Sequence, residues 1–151
     1  MSISQLIPTL QISIGPVVLI SGIGLLILSM TNRFGRVIDR GRILARELAE
    51  VPSQDQVHIE AQLQILTRRA EYLRRAITAA SISVLLAAVL IITLFITAVL
   101  NLEDAWLIGL LFISAMAALI FSLVSFLQDL NESLLAFKLD IGMAPRDKLL
   151  K

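Results

Sequence analysis

The chain has 151 residues, 57% of them hydrophobic, with a mean hydropathy of +0.85 and a formal net charge of +1. This composition excludes a soluble globular domain and is that of an integral membrane protein, too short for two separate domains beside an anchor. The absence of cysteine excludes a disulfide framework and a thiolate metal site.

Residues 1–11 are uncharged, carry Pro8, and lack the basic leader of a secretory signal, so they read as an interfacial lead-in. Residues 12–30 form the first span, long enough for a hydrocarbon core of about 30 Å. Pro16 is expected in its first turns, where a missing N–H costs least. Gly15, Gly22 and Ser29 recur every seven residues as a small face that suits a third helix or another protomer.

Residues 31–75 predict an antiparallel helical hairpin. Phe34, Val37, Ile38, Gly41, Leu44, Ala45, Leu48 and Val51 on the outgoing arm alternate in steps of three and four. Ile59, Leu63, Leu66, Ala70, Leu73 and Ile77 do the same on the return, which is the spacing of a coiled-coil seam. Pro52 stops the first arm, and Ser53 with Gln56 reads as a capping box for the second. Folded there, Leu48 faces Ile59, Leu44 faces Leu63 and Gly41 faces Leu66. The same register carried into the apolar sequence puts Ile27 against Ala80, Gly24 against Ser83 and Ile20 against Ala87. Small faces are what membrane helices use for close approach, so Gly24, Ser83 and Ala87 are expected to dock the first span on the second.

Residues 76–102 are an uncharged run that makes the second span. Asn101 to Asp104 form a tight turn in which Asp104 caps the next helix. Residues 105–128 make the third span, with Ala115, Ala118, Ser122 and Ser125 on one face. Residues 129–151 begin with an amphipathic stretch along Leu127, Leu130, Leu134, Phe137 and Ile141, then a terminating Gly142 and a basic tail. The expected fold class is therefore all-α integral membrane: a single domain of three transmembrane helices with a cytosolic antiparallel coiled-coil hairpin between the first two.

Charge sets the expected orientation. Nine arginines lie between Met30 and Ile77, whereas the opposite side holds only Glu103 and Asp104. The positive-inside rule then places the hairpin and C-terminus in the cytoplasm and the N-terminus outside, with Trp106 and Tyr72 at the two interfaces.

Ile14-Gly15-Pro16, the Leu25 to Ser29 run, Thr31-Asn32-Arg33 and the arginine-rich arm after them resemble a family of small bacterial membrane proteins, domain of unknown function 2721. The resemblance runs from the first span to about Ile141. It implies a three-helix protein of the bacterial inner membrane and brings no activity or site residues with it. The topology is also similar to the core of the membrane-insertase superfamily. No charged residue lies within these spans, so a polar groove of that kind would be lined by Ser, Thr and Gly.

Arg33, Arg36, Arg74 and Arg75 stand where the hairpin meets the membrane. They would bind anionic lipid head groups or an acidic partner, or serve simply as topology anchors. Asp129 and Glu132 emerge at the same depth and are expected to pair with them, docking the third helix through exposed pairs worth about 0–1 kcal/mol each. Arg40, Arg42, Arg46, Arg68 and Arg69 are interleaved with Glu47, Glu50, Glu60 and Glu71, the pattern of a solvated salt-bridged face. No aromatic platform accompanies them, which argues against nucleic acid. His58, near Asp55 and Glu60, is expected to be a solvated surface histidine, since no second His or Cys exists to complete a metal site. The spans hold no Asp, Glu, His, Lys or Arg, and no nucleophile–base spacing or phosphate loop appears, so neither catalysis nor a cofactor is expected. The function class that follows is a non-enzymatic scaffold or accessory subunit, a homo-oligomer that presents its hairpin to a protein partner. The alternative is an insertase-like module or an oligomeric pore.

Overall fold

The computed structural model describes residues 3–50, 52, 56–100 and 105–140, with side chains at 14–50, 52, 56–100 and 105–134. The described residues form three helices: α1 (Ile3–Glu50), α2 (Gln56–Leu100) and α3 (Ala105–Asp140). All three are long and apolar enough to cross a membrane. At 48 and 45 residues, α1 and α2 are each about 70 Å long. That is more than twice the roughly 30 Å of a hydrocarbon core, so much of each helix lies beyond it. The cap at Ser53, the turn at Asn101 to Asp104 and the stop at Gly142 lie outside the described residues.

Residues 3–11 are helical and continuous with the rest of α1. Pro8 and Pro16 therefore sit inside the helix, contrary to the expectation that Pro16 falls at its start. In a bare helix such a proline is costly, because a backbone N–H is missing and the ring crowds the carbonyl four residues back. Membrane helices tolerate this where neighbouring groups or local adjustment satisfy the freed backbone.

The middle element is α2, which packs on both α1 and α3. Burial repeats every seven residues on each helix: Ile23, Met30, Val37 and Leu44 on α1; Ala76, Ser83, Leu90 and Thr97 on α2; Ala115, Ser122 and Asp129 on α3. The pattern is inside-out relative to a water-soluble bundle. Leu25, Leu85 and Ile113 are 71%, 63% and 69% exposed, while Ala80, Ser83 and Ser122 are fully buried. Lipid is as apolar as leucine, so large side chains gain nothing by leaving it, and small ones let backbones approach.

This arrangement corrects one docking expectation. Gly24 is exposed, and a Cβ added there would meet nothing within 4 Å. The buried position on that turn of α1 is Ile23, one residue and about 100° away. Ser83 and Ala87 are buried on α2, but Ser83 turns to α3. Residue size made Gly24 attractive in the sequence; the seven-residue repeat of Met30, Val37 and Leu44 leads back to Ile23 instead.

Candidate functional site: a buried arginine–aspartate–arginine junction

Among the described residues three polar links join α2 to α3. Ser83 Oγ donates to the Ala115 carbonyl at 2.8 Å, and Ser122 Oγ donates to the Ala76 carbonyl at 2.7 Å. Arg69 Nε donates to Asp129 Oδ1 at 3.2 Å. From one link to the next the chain moves seven residues along α2 and seven back along α3. The links thus fall on a single line, about 10 Å apart, between antiparallel helices. Ser81, Thr93, Thr97, Ser114 and Ser125 bond carbonyls three or four residues back in their own helices, as expected of hydroxyls in apolar helices. Ser83 and Ser122 depart from that habit because the facing helix is close enough for its carbonyl, which has a second lone pair, to accept.

The third link ends in a junction of all three helices. Asp129 is fully buried, and its other oxygen accepts from Arg33 Nη2 of α1 at 3.1 Å. Each carboxylate oxygen thus has its own guanidinium, from a different helix. The Arg33 guanidinium also lies over the Phe126 ring, 5.4 Å from its centroid. Phe126 precedes Asp129 by one turn, so α3 offers the same cation both a carboxylate and a π face. The Arg33 and Arg69 side chains are only 26% and 17% exposed, whereas the ion pairs Arg42–Asp39 and Arg75–Glu71 are more than 60% exposed on both sides.

Two positive charges share one negative charge here. Arg33 Nε is moreover buried with no hydrogen-bond acceptor among the described residues. Beside the junction is a cavity of about 310 Å³ lined by Arg33, Arg36, Arg40, Arg69, Val37, Leu66 and Ser133. Its lining combines four arginines with one serine and, among the described residues, holds no acidic residue.

The four interfacial arginines expected to act together are divided between two places. Arg33 and Arg36 line this cavity. Arg74 and Arg75 are exposed and border a separate groove with Glu71, Thr78, Ile82, Ala118 and Phe121. Asp129 meets Arg33 as an ionic partner, yet in a buried setting and not at an exposed interface. Its second partner, Arg69, came from the group read as a solvated face. Glu132 is half-buried and makes no ion pair among the described residues. His58 is exposed and accepts from Gln62 Nε2 at 3.1 Å, one turn along α2. The signal for Arg69 was present in the spacing: it stands seven residues before Ala76 and fourteen before Ser83, on the small face of α2.

The family described as "Protein of unknown function (DUF2721)" matches residues 13–139, which take in all three apolar segments and every member of the junction. The chain belongs to that family. No curated protein and no solved structure matches it. For this DUF2721 protein the geometry must therefore supply the functional reading.

Proposed function

We propose that this DUF2721 protein is a non-enzymatic membrane scaffold or accessory subunit. In this reading α1 and α2 continue beyond the lipid as a coiled-coil hairpin, which presents a docking surface to a protein partner in the cytoplasm. The observation that carries the reading is the Arg33–Asp129–Arg69 junction, which ties all three helices together just past the uncharged spans. A pair of helices about 20 residues long is marginal in water by itself, and a rigid root holds it in register. The buried Val37 and Leu44, with half-buried Leu63 and Leu66, support a seam along the arms. The arginine excess on this side supports a cytoplasmic location at a bacterial inner membrane, with the N-terminus outside. Gly15 and Gly22 lie exposed with open space around them, which supports self-association through α1.

Purification in gentle detergent, with mass measurement and partner identification, tests the proposal. The expected result is an oligomer with a co-purifying protein that is lost when the exposed Arg46 and Arg68 are both changed to Glu. Ion flux in liposomes at a defined oligomer size would replace the scaffold with a pore, and cross-links from the spans to nascent membrane proteins would replace it with an insertase.

A further inference from the structure

We infer that the cavity lined by Arg33, Arg36, Arg40, Arg69 and Ser133 is a binding site for a phosphate group. Four arginines of α1 and α2 line it, Arg33 and Arg69 half-buried and Arg36 and Arg40 exposed, and α3 adds Ser133. Among the described residues Asp129 is the only carboxylate paired with Arg33 and Arg69, which leaves a surplus of positive charge on the cavity wall. Like charges at this density repel one another, and that repulsion is relieved by an anion with several acceptor oxygens. Guanidinium forks match the tetrahedral oxygens of phosphate and can bond two at a time. Arg33 Nε, buried and without an acceptor among the described residues, supplies a further donor.

Size and position agree with this ligand. A volume of about 310 Å³ equals on the order of ten water molecules, enough for a phosphate and its remaining hydration. The cavity is lined by Arg33, the first charged residue after the first apolar run, and charged residues at the end of a span fall where lipid head groups begin. The phosphate can thus belong to an anionic lipid or to a free solute. The site is separate from the hairpin surface invoked above, and its test does not depend on a protein partner.

The full-length protein is placed in nanodiscs of phosphatidylcholine alone, or of phosphatidylcholine with one-tenth phosphatidic acid. Inorganic phosphate binding is measured by equilibrium dialysis in the first, and retained lipid by native mass spectrometry in the second. Saturable phosphate binding in the first identifies a soluble source; selective retention of phosphatidic acid without it identifies a lipid source. The R36Q/R40Q variant leaves both partners of Asp129 in place, so its thermal midpoint should match that of the native protein. It should lose binding at least tenfold, roughly the loss of two charge-assisted hydrogen bonds. The R74Q/R75Q variant removes the same charge from the separate groove and should change binding less than twofold. Equal losses in both variants, or no binding in either nanodisc, would overturn the proposal.

Discussion

At the scale of single residues, the structure turns on Asp129. A carboxylate with no solvent exposure survives because each oxygen meets a guanidinium. Removing it leaves two arginines facing each other across a buried space, and breaking such an arrangement costs about 3–5 kcal/mol. We expect D129N to lower unfolding stability in detergent by that order, measured by denaturant titration. The serine links are smaller: S122A should cost roughly 0.6 kcal/mol and no more than about 1.7. A D129N effect as small as that of S122A would mean that the ionic junction contributes little. Gly24 offers the opposite case. With open space at its Cβ position, G24A should be neutral or stabilise the monomer by up to about 1 kcal/mol through helix propensity. If G24A instead lowers the oligomer mass while leaving monomer stability unchanged, α1 self-associates through that position.

At the scale of helices, the decisive relation is the line of links between α2 and α3. Since the chain has no cysteine, introduced thiols report without background. A short thiol cross-linker should join cysteines at 83 and 115 or at 76 and 122, and should leave a 24 and 83 pair unjoined. Joining 24 to 83 at a comparable rate would overturn the packing. Much of this level was legible in the sequence: the uncharged runs and the seven-residue repeats announce three helices with small faces. The pairing of those faces was not. Ala76, Ala80, Ser83 and Ala87 suit α1 or α3 equally well as a small stripe, because such residues carry shape and no address. Asp129 was legible as a docking residue for α3, and Arg33 as a member of its expected set. Arg69 was obscured by neighbours such as Arg68 and Glu71, whose alternating charges suggest a solvated face although the heptad places it inward.

At the scale of the whole molecule, the proposed orientation predicts accessibility. In intact cells, a cysteine at position 58 should resist a membrane-impermeant thiol reagent, and one at position 106, beside the exposed start of α3, should react. The reverse pattern would invert the topology and place the phosphate-binding cavity on the outer face. Either way the junction stays at the same depth relative to the lipid, because the uncharged runs set where the charged positions emerge.

The amino-acid sequence by itself determined that this is a three-helix membrane protein with arginine gathered on one side of the lipid. Hydropathy and charge act through local runs of residues, and those runs are long and unambiguous here. Only the tertiary structure decided that α2 stands between its neighbours, that Ile23 and not Gly24 faces inward, and that Arg69 and Arg33 share one carboxylate. Each of those outcomes depends on how three helices rotate against one another. Small residues permit several rotations, and the placement of one buried charge among them is settled only when all three helices are in contact.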